Sequence, residues 1–249
     1  MKVLLARTLL IVGAVALLEI LCRLGVIPNF TVIPPSAMAQ SLWNILGSGK
    51  FSEDIAATLT NVGIAIAAAM VVGVALGTLL QSWPAARRTF DPLFATYYAV
   101  PMYAFYPLLI VIFGLGDLPQ VAIGFLLAVM AVIINTLNGL DRVPTVLLKT
   151  ARVHGLGFIQ EAFHIRLPYA APYVFTGFKL AVAYSFIGVI GAEFITSSRG
   201  IGYEISFAYN NFDNPVMYAM ILFILLLVIT VNMSLHVWEK RLLSRRRRA

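Results

Sequence analysis

Cysteine is almost absent from this 249-residue sequence, charged residues make up only 12%, and the three histidines are dispersed. A single cysteine, Cys22, excludes an intrachain disulfide and any cysteine-rich metal site. Ile20 and Leu21 precede it where a signal peptidase needs small residues, which argues against a lipoprotein anchor. His154, His164 and His236 build no Ser-His-Asp or HExxH arrangement, and no carboxylate pair sits at helical spacing within an apolar run. A catalytic role is therefore not expected. Gly47-Ser48-Gly49-Lys50 ends like a phosphate-binding loop, but Asn44 occupies the first glycine position and Phe51 replaces the magnesium-holding Ser or Thr. ATP dependence, if any, has to come from another subunit.

What the sequence has instead is apolar length. It is 60% hydrophobic, with a mean hydropathy of +0.89. That exceeds what a soluble core of this size can hide. Long apolar runs rather than strict alternation favour helices over a barrel. The expectation is an all-α integral membrane protein with about six transmembrane helices in one domain, at about 4–26, 55–80, 92–114, 118–140, 169–196 and 215–238. The first run follows Lys2 and Arg7 like a secretion signal, but no small-residue cleavage site ends it, so it reads as a retained span.

The net charge of +7 is unevenly distributed. Lys2, Arg7, Arg87, Arg88, Arg142, Lys149, Arg152, Arg166, Lys240, Arg241 and Arg245 to Arg248 fall on one side of these spans. Only Arg23, Lys50 and Arg199 fall on the other, among Glu53, Asp54, Asp117, Glu204 and Asp213. The positive-inside rule then places both termini and the 141–168 segment in the cytoplasm. The arginine tail reads as a topology signal that meets anionic headgroups, not as a nucleic-acid site. On the external side Pro28, Pro34 and Pro35 end the first span, with a short surface helix expected around Ala37 to Leu46.

Polar groups inside spans mark candidate sites. Glu19 and Arg23 are spaced to pair. Glu193 stands alone in I-G-A-E-F-I-T and should face the bundle interior, a water-filled path or a partner. Asn135 and Asn138, and Thr58, Thr60 and Asn61, can bond between helices. Small residues crowd the second span (Gly63 to Gly77) and the fifth (Gly177 to Ala192), which favours close packing. The stretch Tyr97 to Pro107 holds Pro101, Pro107 and four tyrosines; it reads as a pore-lining kink or an interfacial aromatic belt. Glu193, Tyr103, Tyr106, Ser185 and Asn135 are the candidates for a translocation path.

Lys149 to Pro168 is a charged, amphipathic insert between apolar runs. Leu156, Ile159 and Phe163 fall on one helical face, and Gln160, Glu161 and His164 on the other. Gly155 and Gly157 suit a bend, and Pro168 suits the first turn of the next span. The result is a helix-turn-helix elbow with apolar side chains for a partner's groove, as against an ordinary loop lying on the headgroups.

The insert resembles the signature loop of permease subunits of binding-protein-dependent ABC importers: Glu-Ala-Ala, three residues, Gly, nine residues, Ile, one residue, Leu-Pro. Ala151, Gly155, Ile165, Leu167 and Pro168 stand at the matching positions, whereas Lys149 and Thr150 replace the first Glu and Ala. Asp91-Pro92-Leu93, Val100-Pro101, Pro107-Leu108 with Phe113-Gly114, Ala192-Glu193-Phe194 and Gly200-Ile201-Gly202 extend the resemblance along nearly the whole chain, closest to permeases for aliphatic sulfonates, taurine and nitrate. It implies a type I importer permease of the bacterial inner membrane. It further implies a second permease copy, two ABC ATPase subunits that bind ATP and magnesium, and an extracytoplasmic solute-binding protein, with no cofactor in this chain. ATPase coupling would then fall on Ala151, Arg152, Gly155, Leu156, Gly157, Phe158, Ile159, Phe163, Ile165, Leu167 and Pro168. The solute is expected to be a small organic anion such as a sulfonate or taurine, or nitrate. An aromatic carboxylate or a thiamine-precursor-like solute is the alternative. From other classes, an ion-coupled transporter or channel titrating Glu193 would work without ATP, and a structural or signalling membrane protein would bind no ATPase.

Overall fold

The computed structural model describes residues 2–28 and 30–246, apart from the side chains at 2–4, 95 and 242–246. The side chains of Lys2 and of the tail residues Arg245 to Arg248 thus lie outside the described residues. Among the described residues there are eleven α-helices and no strand. Five helical runs are long and apolar enough to cross a membrane: Leu5–Arg23, Ser52–Ser82, Asp117–Leu140, Phe158–Ile195 and Asn214–Arg241.

The segment expected as the third span, with a kink or aromatic belt between Tyr97 and Pro107, is interrupted there. Helix α4 (Pro84–Tyr97) ends before Pro101, and a 3-10 turn (Met102–Phe105) leads into α5 (Tyr106–Phe113). Pro101 and Pro107 each remove a backbone donor, and Val100, as a residue before proline, is turned away from helical geometry. The apolar piece Met102–Phe113 covers only about 18 Å at 1.5 Å per residue. A hydrocarbon layer is ~30 Å thick.

The chain forms two compact units. The first comprises residues 1–57 and 193–227. It holds α1 (Lys2–Arg23), α2 (Pro35–Ser48), the first turns of α3 (Ser52–Ser82), α10 (Ile201–Asn210) and the start of α11 (Asn214–Arg246). Its core is Phe51, Ile201, Ile205 and Met220, backed by Ile45, Ile55 and Phe223. Glu19 pairs with Arg23 at 2.6 Å, as their spacing predicts, and its other oxygen accepts the Ser36 N–H at 3.0 Å. A carboxylate at the end of α1 thereby caps the N-terminus of α2, where the helix dipole favours negative charge.

The second unit comprises 58–192 and 228–249. Helix α6 (Asp117–Leu140) lies between α3 and α9 (Leu167–Ile195). The small-residue faces read from the sequence meet it on both sides. A Cβ on Gly73 would fall 2.6 Å from the Val132 Cβ, and one on Gly188 would fall 2.6 Å from the Gly124 Cα. With Ala69, Ala128 and Ala181 wholly buried, the backbones themselves approach. Asn61 donates to Gln120 at 3.1 Å across this interface, and both are buried. Asn135, expected to bond between helices, instead donates to Ala131 O of its own helix at 2.8 Å. A Cβ on Gly177 would fall 3.1 Å from the Asn135 Cβ, so α9 passes close to α6 at this point.

Candidate functional site

The elbow begins with α7 (Thr145–Val153), which starts after Pro144. It stops by a Schellman closure: Leu156 N–H reaches Ala151 O and Gly155 N–H reaches Arg152 O, both at 3.0 Å. This closure requires a left-handed residue, and Gly155 supplies it with φ +66°. Gly157 is extended and receives the Gln160 side-chain oxygen on its N–H at 3.2 Å, opening α8 (Phe158–Glu161). The chain then passes through a π-helical turn (Ala162–Arg166) directly into α9.

Within this frame Ala151 and Ala162 are buried and form the foot of the elbow. Leu156, Ile165 and Leu167 are half-buried, while Arg152 and Pro168 are exposed. The apolar residues Val153 (85% exposed), Ile159 (69%), Phe163 (66%) and Phe158 (49%) point outward. The face opposite Ile159 and Phe163 is not uniformly polar and solvated, as the helical pattern suggested. Glu161 turns inward, and its carboxylate is held by the Arg166 guanidinium at 2.5 Å. At the adjoining end of α6, Asp141 accepts Arg87 at 2.5 Å and Gln81 at 3.0 Å. The hydrogen bond from Arg87 holds the Asp141 carboxyl below the usual carboxylate range.

Tyr103, Tyr106 and Ser185 lie along one stretch of α6 and α9, whereas Asn135 lies apart from them. Tyr103 donates to Ile187 O at 2.5 Å, and its ring end fills the space where a side chain on Gly191 would be. Tyr106 is buried with Ile123 and Ala192. Ser185 is fully buried, and its hydroxyl has no hydrogen-bond partner among the described residues. Asn135 lies elsewhere along α6, eleven residues, or about 16 Å, from the Gly124 that Ser185 O approaches. Glu193 belongs to the other unit. It is 1% exposed, and its carboxylate accepts the Gly202 N–H at 3.0 Å. Gly200 packs against that carboxylate, with its own N–H donated to Asp54 at 2.8 Å. Glu193 thus caps α10 as Glu19 caps α2.

One intramembrane pair escaped the sequence reading. Lys179 of α9 donates to Glu239 of α11 at 2.7 Å, with His236 Nδ1 3.7 Å from the same carboxylate. Lys179 is the only lysine or arginine between Pro168 and Ile195, and that was the signal available.

Residues 69–248 match the family described as "Binding-protein-dependent transport system inner membrane component". The chain belongs to this family. The nitrate import permease protein NrtB of Leptolyngbya laminosa is 30% identical over 207 residues, covering 80% of this chain and 74% of that protein. The taurine transport system permease protein TauC of Escherichia coli is 27% identical over 214 residues, covering 84% and 78%. The bicarbonate transport system permease protein CmpB of Synechococcus elongatus is 30% identical over 178 residues, covering 71% and 64%. The protein is therefore an ABC importer permease, a multi-pass component of the inner membrane. Its family implies ATPase and solute-binding partners.

Proposed function

We propose that the chain forms the translocation path of an ATP-driven importer, with its termini and elbow in the cytoplasm. Each of two permease copies engages one ATPase subunit through the elbow. The observation that carries this reading is the outward display of Val153, Phe158, Ile159 and Phe163 on a braced segment at the N-terminal end of α9. Exposed apolar knobs on a rigid helical frame are what a partner's groove receives, and they would be unfavourable in water without one. Closure of the ATPase dimer draws the two elbows together. Because the π turn runs without a break into α9, that displacement passes straight into a membrane-spanning helix. ATP and magnesium are bound by the ATPase, not by this chain.

The transported solute in this proposal is a small anion of the nitrate, sulfonate or taurine class. The three relatives above are named for nitrate, taurine and bicarbonate, and all three carry a compact oxyanion group. The capping role of Glu193 supports this choice, because a carboxylate committed to the Gly202 N–H opposes an anion less than a free one would. The test is reconstitution of the permease with its ATPase and binding protein in liposomes. Gly155→Asp has open space around it but places a side chain at positive φ. Loss of solute-stimulated ATP hydrolysis with normal membrane insertion is expected. Transport and coupling equal to wild type would remove the elbow from the mechanism.

A further inference from the structure

A groove of about 570 Å³ lies where α7 and the π turn meet the first turns of α9. Its walls are apolar: Leu147, Ile165, Pro168 and Pro172. Tyr169, Tyr173 and His164 contribute its polar edges. The Arg142 guanidinium lies over the Tyr173 ring, 5.1 Å from its centroid. The acids in the neighbouring chain are already committed, Asp141 to Arg87 and Glu161 to Arg166. Arg142 has no carboxylate partner among the described residues.

The depth of this groove follows from length. Helix α9 has 29 residues and so spans about 43 Å, whereas the hydrocarbon layer is ~30 Å thick. Its first turn or so therefore stands in the headgroup zone, where tyrosines are favoured. An apolar groove at headgroup depth with a cation beside its Tyr173 end has the chemistry of a phospholipid site.

We propose that this groove binds one anionic phosphoglyceride. Its phosphodiester is held by Arg142 beside Tyr173, its glycerol backbone rests against Pro168 and Tyr169, and an acyl chain passes Pro172 towards the hydrocarbon. The lipid would cement α7 to the start of α9 and so set the base from which the elbow projects. Lipid binding here does not depend on the elbow engaging an ATPase.

The experiment is native mass spectrometry of the full chain in a mild neutral detergent. It is titrated with phosphatidylglycerol or with phosphatidylcholine of the same acyl chains. Wild type is expected to retain phosphatidylglycerol at least about fivefold more than phosphatidylcholine. Arg142→Gln, at an exposed position, should bring that ratio below about twofold. Leu147→Trp should fill the groove and reduce retention of both lipids while leaving helix content by circular dichroism unchanged. An unchanged headgroup preference in Arg142→Gln, or unchanged retention in Leu147→Trp, overturns the proposal. So does a lipid-free dimer, which would show the groove closed by a second copy.

Discussion

Glu161 and Arg166 are joined by an ion pair although they lie five residues apart, a spacing that an α-helix does not bring together. Five α-helical residues turn about 500°, which would leave the two side chains some 140° apart. The π-helical turn at Ala162–Arg166 removes that offset, and the pair in turn holds the wider turn in place. Both side chains are largely sheltered, at 10% and 16% exposure, so each partner depends on the other. Glu161→Gln or Arg166→Met should lower stability in detergent by about 1–3 kcal/mol. Removing both charges should be less damaging than the sum of the two single changes. Additive losses in a thermal double-mutant cycle would show that the two residues act separately.

The Lys179–Glu239 pair ties α9, the helix continuous with the elbow, to α11. Glu239→Gln should leave an ammonium without its counter-charge in a span and reduce folded yield. The exchanged pair Lys179→Glu with Glu239→Lys should recover much of it. The readout is monodispersity in detergent together with solute-stimulated ATP hydrolysis. Failure of the exchange alongside a normal Glu239→Gln would assign the pair no role.

Helix contact at Gly188 tolerates no side chain. Gly188→Leu would drive its Cβ into the Gly124 backbone and should abolish stable insertion, whereas Gly63→Ala, with open space around it, should be near neutral. Membrane-fraction yield and melting in detergent compare the two.

Glu193→Ala should release the start of α10 by leaving the Gly202 N–H without its carboxylate. Hydrogen exchange at 200–206 should accelerate, by about tenfold for each 1.4 kcal/mol of lost local stability. Unaltered exchange in that segment would mean that Glu193 is not the cap.

Glu204 supplies a pH test. Burial, with Asp54 adding like charge, pushes its carboxyl above the usual value. A folded-state pKa above the unfolded one penalises folding at neutral pH, and the penalty fades as pH falls through the raised value towards the unfolded one. Glu204→Gln should therefore raise the melting temperature at pH 7.5. The difference should shrink towards pH 4. A difference that grows on acidification would reverse the sign assigned here.

Much of this protein was legible before folding. Apolar run length fixed a helical membrane bundle, and Gly73, Gly77, Gly177 and Gly188 announced close helix contacts, because both depend on residue type alone. The elbow was legible for the same reason: Gly155 and Pro168 are local backbone requirements. The tertiary structure decided the rest. Pro101 and Pro107 already suggested a kink in the third span, but where the helix stops and resumes, at Tyr97 and Met102, was left to the fold. Glu161 turns inward because a π turn changes the helical period that the sequence pattern assumed. Glu193 read as a lone carboxylate facing the bundle interior, a path or a partner; the fold gives it the Gly202 N–H, and a backbone partner leaves no trace in a side-chain pattern. Lys179 waited for Glu239, sixty residues away. Composition and local chemistry chose the solvent and the joints, and only packing chose the partners of the buried charges.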